Sequence, residues 1–314
     1  MRVYTDISQF KNVATPVLTI GTFDGVHKGH QKLIERIKRH ARETGGESVL
    51  LTFYPHPRMV LFPHDETLRL LSTQREKIEL LQRFGLDHLI IHPFSKAFSR
   101  LSATEYVRDV LVNGIGMKKL VIGYDHQFGR NREGGLDQLC EFAPLYDFDV
   151  EEIPAQEIDE VAVSSTKIRR ALLEGDVSTS NNYLGYHYTL SGIVTHGRKI
   201  GREIGFPTAN IQIPDKTKLI PAEGVYAVNV VLPKGEKKGG MLYIGRLPEF
   251  NASDNPTIEV NIFEFNEDIY NQTITIELLA FVREYIKFDS PQELKTQLEK
   301  DKSISIQLII ENFE

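Results

Sequence analysis

The chain has 314 residues, of which 41% are hydrophobic and 25% charged, and its net charge is -6. This length predicts about two domains, and the composition is typical of a globular protein. The negative charge argues against a surface that binds nucleic acid, and the absence of any run of about 18 apolar residues argues against a membrane span. The single cysteine, Cys140, excludes an internal disulfide and fits a reducing compartment. Since the first residues carry no apolar leader, we expect a cytoplasmic protein.

Short apolar runs alternate with helical periodicity in the first half of the chain. The strand-like runs are Val17–Ile20, Val49–Phe53, Leu89–Ile91, Leu120–Ile122 and Val150–Ile153. Between them, Ser102 and Glu105 form a capping box before one helix. This alternation predicts crossover units and a doubly wound, mostly parallel sheet. Because ligands bind beyond the carboxyl ends of such strands, the loops to search begin at Gly21, Phe53, Pro93 and Gly123.

The second half is rich in strand-forming residues and turn clusters. Its strand-like runs are Tyr188–Val194, Val225–Leu232, Thr257–Phe265 and Thr273–Phe281. Residues 233–240 are predicted to form a turn, and Ser290 and Pro291 begin a terminal helix. We therefore predict an antiparallel β module with a terminal helix. The polar stretch 174–182 separates the two halves, so we expect domains 1–184 and 185–314.

The first predicted strand leads into the glycine-rich segment Gly21-Thr-Phe-Asp-Gly-Val-His27-Lys-Gly-His30. His27 and His30 are three residues apart, on one face of the first helical turn, where free backbone amides favour an anion. Two imidazoles there suit a triphosphate whose α-phosphorus is attacked, because donors stabilise the developing charge. The alternatives are two surface histidines, or a metal pair that lacks a third ligand nearby. The strand–glycine–helix context favours the phosphate site.

Hydroxyl and basic side chains come together in the segment Ser164-Ser165-Thr166-Lys-Ile-Arg169. Ser164 or Ser165 would cap a helix, and its hydroxyls, free amides and Arg169 would form a second phosphate-binding helix start. Taken alone, this is an ordinary N-cap with a basic exposed face. Together with the histidine segment, it predicts a clamp on a nucleotide.

Two further loops follow predicted strands in the first half. The loop from Gly123 contains Asp125, which could hold a ribose or a flavin edge, or form an Asx-turn. The segment Thr52-Phe53-Tyr-Pro-His-Pro57-Arg58 offers an aromatic floor for a ring system, or is a proline-rich surface turn. The chemistry of these residues leaves both pairs of alternatives open.

The β module contains a glycine-rich stretch that leads into Gly205-Phe-Pro-Thr208-Ala-Asn210. Gly197, Gly201 and Gly205 would make a flexible flap. Thr208 and Asn210 lie two residues apart, on one side of an extended segment. Their neutral oxygens suit a magnesium ion that bridges phosphates.

Glu259 lies within the alternating strand 257–265 and is a candidate general base. Periodicity alone favours the alternative, an outward-facing strand carboxylate. Neither a Walker sequence nor Gly-x-Gly-x-x-Gly occurs, so nucleotides would bind by other means.

These motifs resemble those of the bacterial bifunctional riboflavin kinase/FAD synthetase family, over nearly the whole chain. The first half carries the family's His-x-Gly-His, Thr-Phe-x-Pro-His-Pro, Gly-x-Asp-x-x-Phe-Gly and Ser-Ser-Thr-x-Ile-Arg segments. The second half carries Gly-Phe-Pro-Thr-Ala-Asn, then Gly224-Val-Tyr-Ala227, Glu259 and a tail that begins at Arg283. The first segment is shared by many nucleotidyltransferases, whereas Pro-Thr-Ala-Asn is more specific to flavokinases.

The resemblance implies two ATP-dependent reactions with Mg²⁺ as cofactor, and riboflavin, FMN, FAD and ATP as partners. A Rossmann-like nucleotidyltransferase domain would move AMP from ATP to FMN, giving FAD and pyrophosphate. A C-terminal β-barrel would phosphorylate riboflavin, with Glu259 as base and with Thr208 and Asn210 organising magnesium. The implied catalytic set also includes His27, His30 and Arg169. The implied ATP contacts are Gly21, Phe23, Asp24, Gly29, Ser164, Ser165, Thr166, Gly197, Gly201 and Thr208, and the flavin contacts are Phe53, Pro57, Asp125 and Arg283.

Three positions in the second half depart from the family's pattern. Tyr243 stands where Asn is expected, Glu249 where Thr is expected, and Tyr285 where Glu is expected. If the tyrosines only reshape the flavin pocket, riboflavin affinity changes and turnover does not. The competing hypotheses are an FAD synthetase with a non-catalytic flavin-binding module, and a non-catalytic flavin-binding protein. The retained oxygen ligands and Glu259 argue against the first, and the histidine segment argues against the second.

Overall fold

The computed structural model describes residues 1–65, 67–154, 163–197, 200–245 and 256–312. The chain forms two compact units, Met1–Ser165 and Thr166–Glu314. One position singled out from the sequence, Glu249, lies outside the described residues.

A six-stranded parallel sheet forms the centre of the first unit. Its strands are β1 (Arg2–Tyr4), β2 (Pro16–Ile20), β3 (Glu47–Tyr54), β4 (His88–Pro93), β5 (Lys119–Gly123) and β6 (Asp149–Ile153). The order across the sheet is β1-β4-β3-β2-β5-β6, and each neighbouring pair is parallel. The predicted doubly wound sheet is confirmed, with β1 and β6 at its edges.

Helices cover both faces of this sheet. They are α1 (Lys28–Thr44), α2 (Pro57–Leu61), α3 (Gln74–Arg83), α4 (Ala103–Glu105), which continues as a π-helix over Tyr106–Ile115, and α5 (Leu136–Tyr146). Because both faces are covered, the central strands are apolar throughout. Val17 and Leu50 pack into one core, and Leu18 and Leu51 pack into the other. The capping box predicted before α4 is present.

The second unit is built on a closed antiparallel barrel, which confirms the predicted β module. Its strands are β7 (Thr189–Thr195), β8 (Ala209–Gln212), β9 (Gly224–Val231), β10 (Lys237–Gly245), β11 (Thr257–Ile262) and β12 (Thr273–Arg283). The order around the barrel is β10-β11-β8-β7-β12-β9. Alternate residues of each strand, among them Leu242, Ile258 and Val260, are buried and fill the interior.

Among the described residues of the second unit, the helices are α6 (Ser165–Leu173), α7 (Val177–Leu184), α8 (Ile200–Glu203) and α9 (Pro291–Glu311). The start of α9 confirms the prediction, since Ser290 caps it and Pro291 is its first residue. Ile309 of α9 packs with Ala227 and Leu279 on the outside of the barrel. Residues on the same face of the barrel as Ala227 therefore lie on its outer surface.

Some segments differ from the sequence prediction. Residues 237–240, expected in a turn, begin β10, because all four are paired with β9 and Gly240 is also paired with β11. The polar stretch 174–182 forms most of α7, which the Asp176 side chain caps and which continues to Leu184. Strand β11 ends at Ile262, before the expected Phe265, and Glu264 there has a left-handed φ of 51°.

Candidate active sites

A cleft of about 1520 Å³ opens at the carboxyl edge of the parallel sheet. The loops after β2, β3, β4 and β5 contribute to its lining, as expected for a sheet whose strand order reverses between β2 and β5. The predicted site residues that line it are Gly21, Phe23, His27, Gly29, His30, Phe53, Pro57, Asp125, Ser164 and Ser165. The structure thus brings together four segments that are far apart in the sequence.

The loop of residues 21–26, here called loop 21–26, leads from β2 towards α1 in a strained conformation. Phe23 and Val26 have φ angles of 48° and 36°, which side chains with a Cβ rarely adopt. The carboxylate of Asp24 is buried and accepts hydrogen bonds from the backbone N–H groups of Leu71 and Ser72, at 3.0 and 3.1 Å. These contacts show Asp24 holding the loop in place, and its contact with ATP stays a prediction.

The two histidines of the glycine-rich segment lie with their rings stacked. The centroids of His27 and His30 are 3.7 Å apart with 17° between the ring planes, and Phe23 stacks on His30 at 4.4 Å. Helix α1 begins at Lys28, so His27 occupies the N-cap position and makes no side-chain cap bond. The two imidazole rings therefore lie in the cleft next to the free backbone N–H groups of the first turn of α1.

His30 is a neutral donor at pH 7. Its burial, followed by the nearby charges of His27 and Lys77, lowers the pKa of His30 well below its usual range. Nδ1 of His30 is buried and has no hydrogen-bond partner among the described residues.

The remaining lining of the cleft is basic and aromatic. Its cationic side chains are Arg58, Lys96, Arg100, Arg130 and Arg132, and Asp125 is the single carboxylate among its lining residues. Phe53 contacts Phe94 and Phe98, with ring centroids 5.6 and 5.5 Å apart. The positive charge of the cleft suits phosphorylated ligands, and its aromatic rings suit a ligand with a planar ring system. Arg58 and the loop that contains Arg130 and Arg132 belong to motifs of the sequence, whereas Lys96 and Arg100, which follow β4, belong to none of them.

His126 lies beside Asp125 in the loop after β5. Its burial lowers the pKa of His126 to about 4, and the charge of Asp125 acts in the opposite direction. The imidazole is therefore neutral at pH 7, and it stacks on Phe128 with 6.1 Å between the centroids. Nε2 of His126 is buried without a partner among the described residues.

The second unit holds a separate group of oxygen-bearing side chains. Asn210 of β8 lies directly opposite Glu259 of β11, and Thr208 Oγ1 donates to Glu259 Oε2 at 2.9 Å. Glu259 alternates with the buried interior residues Ile258 and Val260, so it lies on the outer face of the barrel. The outward orientation that periodicity favoured is observed, and Thr208, Asn210 and Glu259 share that face.

Of the three glycines predicted to form a flap, Gly197 and Gly201 are required by close packing, whereas Gly205 has open space around it and a left-handed φ of 87°. A Cβ at Gly197 would lie 1.9 Å from Nδ2 of Asn210, and one at Gly201 would lie 2.2 Å from the main-chain oxygen of Phe206. A side chain at Gly197 would displace Asn210, and one at Gly201 would displace the residues that lead to Thr208. Thr166 and Arg169 lie on α6, in the second unit, and their role stays a prediction.

Comparison with known families covers both units. The model of the FAD synthetase family matches residues 10–167, and the model of the riboflavin kinase family matches residues 184–309. A bifunctional riboflavin kinase/FMN adenylyltransferase from Listeria monocytogenes is 38% identical over 299 residues, which are 95% of this chain and 92% of that protein. The chain belongs to the bifunctional riboflavin kinase/FMN adenylyltransferase family.

Other members of the family and one solved structure are similar over a comparable length. The Bacillus subtilis bifunctional riboflavin kinase/FMN adenylyltransferase is 36% identical over 93% of this chain and 92% of its own. A crystal structure from Streptococcus pneumoniae, described as a macrolide-efflux protein, has a TM-score of 0.87, 31% identity, and coverage of 97% of this chain and 98% of that one. In the part of this chain that the structure describes, no helix is long and apolar enough to cross a membrane.

Two tyrosines that depart from the sequence pattern of the bifunctional family, Tyr243 and Tyr285, lie close to Glu259. Tyr243 of β10 is the direct cross-strand partner of Glu259, and its ring centroid is 6.4 Å from that of Tyr285. Burial is the main cause that raises the pKa of Tyr243 to about 12, so the phenol stays neutral. The substitution therefore places a neutral aromatic ring next to the candidate base.

The family resemblance implies that Arg283 contacts the flavin, and in the structure its guanidinium is hydrogen-bonded to other residues of the chain. Its Nε and Nη2 donate to the fully buried carboxylate of Asp301 on α9 at 2.9 and 2.7 Å, and its Nη1 donates to the main-chain oxygen of Glu284 at 2.8 Å. Gln297 also donates to Asp301, at 2.8 Å. The pair ties the end of β12 to α9, and a contact of Arg283 with flavin stays a prediction.

Replacing Asp301 should test how much this tie stabilises the barrel unit. Asp301→Asn keeps the shape of the side chain but removes the charge that Arg283 meets. We expect the free energy of unfolding to fall by about 1–3 kcal/mol, because a buried charged donor loses its ionic acceptor. Urea unfolding measures the change, with Asp268→Asn, at an exposed turn of the same unit, as the control. Equal midpoints for the two variants would contradict the expectation.

Proposed function

We propose that this chain carries out both reactions of its family, with FMN adenylylation in the first unit and riboflavin phosphorylation in the second. The observation that carries this proposal is that each unit holds its own group of side chains suited to phosphate chemistry: the stacked histidines in a basic cleft, and the Thr208–Glu259 pair on the barrel. ATP is the co-substrate of both reactions. Riboflavin, FMN and FAD are the flavin substrates and products.

In the adenylyl transfer, a phosphate oxygen of FMN attacks the α-phosphorus of ATP and pyrophosphate leaves. This nucleophile is already ionised, so the reaction requires no protein base and depends on positioning and charge stabilisation. His27, His30 and the first amides of α1 stabilise charge that develops on the triphosphate. The aromatic residues around Phe53 and the loop of Asp125 receive the flavin. Ser164, Ser165, Thr166 and Arg169 are proposed as further ATP contacts.

In the kinase reaction, the terminal ribityl hydroxyl attacks the γ-phosphorus of ATP and ADP leaves. Glu259 takes the proton of that hydroxyl, which is a poor nucleophile while it is protonated. Thr208 orients this carboxylate, since its hydroxyl donates to Glu259 Oε2 at 2.9 Å. The close packing of Gly197 and Gly201 supports the position of Asn210 and of the residues before Thr208.

We propose Mg²⁺ as the cofactor of the kinase site. The donor set fits, because Thr208, Asn210 and Glu259 place hydroxyl, amide and carboxylate oxygens on one face of the barrel, and Mg²⁺ prefers oxygen ligands. Among the described residues, no cluster of three or more His, Cys, Asp or Glu side chains forms an all-protein metal site. Thr208 and Asn210 would therefore hold the ion together with phosphate oxygens. When bound, Mg²⁺ neutralises charge on those oxygens.

We place the boundary between the catalytic domains near Leu184, and we propose a cytoplasmic location. The riboflavin kinase match begins at residue 184, which supports this boundary. Asn181 of α7 nevertheless donates to the main-chain oxygen of Leu278 in the barrel at 2.9 Å. A cut at Leu184 would break this bond, so the full chain is the better material for assays. The exposed free thiol of Cys140 is consistent with a reducing compartment.

Separation of the flavins after incubation with ATP and Mg²⁺ tests the proposal. Riboflavin supplied to the full chain should yield FMN and then FAD, and supplied FMN should yield FAD. If FMN is adenylylated but riboflavin is bound and never phosphorylated, the chain is an FAD synthetase with a non-catalytic flavin-binding module. If neither flavin is converted, both proposed activities are wrong.

A further inference from the structure

Lys77 is a buried cation that no sequence motif of this chain includes. It lies on α3 and is 7% exposed. Its Nζ donates to the main-chain oxygen of Thr22, in loop 21–26, at 2.8 Å. Lysine is seldom buried to this extent, because removing an ammonium group from water is costly unless the charge finds partners. Burial lowers the pKa of Lys77, and the nearby charge of Asp24 acts in the opposite direction.

Loop 21–26 needs such anchors because its backbone is strained. The left-handed conformations of Phe23 and Val26 persist only where surrounding contacts hold them. Thr52 Oγ1 donates to the same Thr22 oxygen at 3.2 Å, and the N–H of Gly25 donates to Ser72 Oγ at 3.1 Å. Helix α3 and the residues just before it therefore restrain the loop at both of its ends.

The histidine pair depends on the shape of this loop. His27 follows Val26 directly, and Phe23 within the loop stacks on the ring of His30 at 4.4 Å. A shift of the Thr22 carbonyl would be transmitted to both rings and to the first amides of α1. Misplacement of reacting groups by about 1 Å can cost about 100-fold in rate.

We propose that Lys77 is a positioning residue for adenylyl transfer: its ammonium fixes the carbonyl of Thr22 and so holds His27 and His30 in their working geometry. Lys77 is absent from the residues that line the cleft, so it acts through loop 21–26 rather than by touching ATP. The inference rests on the proposed role of the histidine pair and adds to it a residue from α3.

Two substitutions in the full chain separate positioning from packing. Lys77→Met keeps the length of the stem and removes the donor, while Lys77→Gln removes the charge and keeps an N–H donor. If Lys77 positions the loop, FAD formation from FMN falls about 100-fold in Lys77→Met and less in Lys77→Gln. Thermal stability should follow the opposite order, because Met buries no polar group. A purely structural lysine would instead give activities that follow the order of the melting temperatures.

Lys38→Met is the matched control. Lys38 Nζ also donates to a main-chain oxygen of the first unit, that of Phe84, at 2.6 Å, but at the carboxyl end of α3. This variant should form FAD at the parental rate. Riboflavin phosphorylation should be unchanged in all three variants, because the kinase residues lie in the second unit.

The outcomes are distinct. Lys77→Met with the parental rate of FAD formation, or activities ordered as the melting temperatures, would overturn the inference. If Lys77→Met does not fold, Lys77→Gln alone decides: a loss of about tenfold with a parental melting temperature supports positioning, and a parental rate, or a loss that comes with a lowered melting temperature, rejects it. His30→Ala, assayed in parallel, separates the positioning role of Lys77 from the proposed role of the histidine pair, because full activity of His30→Ala would reject the histidine role itself.

Discussion

Glu259→Gln should abolish riboflavin phosphorylation while the chain still converts supplied FMN to FAD. Gln keeps the size of the side chain and can still meet the Thr208 hydroxyl, but it cannot take the proton of the ribityl group. A positioned base contributes about 100–10,000-fold, so we expect kcat for FMN formation to fall by that factor. Initial rates with riboflavin, and separately with FMN, measure the two activities in one preparation.

The control for this prediction is Glu277→Gln. Glu277 is another carboxylate of the same barrel, on β12, where Lys237 donates to it at 2.9 Å. It is far from Glu259 in the strand order, so its replacement should leave kcat for FMN formation within about twofold of the parent. If Glu259→Gln forms FMN as fast as Glu277→Gln, Glu259 is only an outward-facing strand carboxylate and another group takes the proton.

His27→Ala and His30→Ala should each lower FAD formation from FMN by about 100–1,000-fold. This is the cost of removing one donor that stabilises transition-state charge, about 2.7–4 kcal/mol. The stacked arrangement adds a further expectation, because each ring supports the position of the other at 3.7 Å. The double variant should therefore lose less than the product of the two single losses. Steady-state rates of FAD or pyrophosphate release give these values.

His40→Ala serves as the control on the same helix. His40 lies on α1, beyond the cleft-lining residues, and contacts Glu43 and Glu151. It should keep the parental rate of FAD formation, and riboflavin phosphorylation should be intact in all of these variants. A fully active His27→Ala or His30→Ala would remove that residue from the proposed mechanism.

The fold class of both units could be predicted because the apolar patterns of the sequence agree with the burial that the folded chain gives them. Apolar runs such as Val17–Ile20 and Val49–Phe53 are strands because both faces of the sheet are covered. The start of β10 could not be predicted, because the lysines and glycines of residues 237–240 have weak strand propensity. Pairing of β10 with its two neighbouring strands outweighs that propensity in the folded chain. Helix α7 could not be predicted either, because its mostly polar sequence contains no apolar stripe of helical periodicity.

The candidate sites were only partly predictable, for a different reason. Motifs identified only part of the cleft lining, because glycines and histidines leave a pattern along the sequence and scattered residues such as Lys96 and Arg100 do not. They could not separate Asp24, whose carboxylate turns to the backbone of Leu71 and Ser72, from its neighbours that face the cleft. Nor could they find Lys77, because a single buried lysine 47 residues beyond His30 leaves no local pattern. Such anchors become visible only when the chain is folded.

The closed barrel and the edge strands of the parallel sheet determine how easily copies of this chain could pair through their strands at high concentration. A closed barrel leaves no unpaired strand, whereas an open sheet presents rows of free N–H and C=O groups along its outer strands. In the first unit, one outer strand, β1, has only three residues, and the other, β6, carries the acidic residues Asp149 and Glu152. A short strand offers little to pair with, and like charges on two copies repel. The sheet is thereby protected from edge-to-edge association and fibre growth.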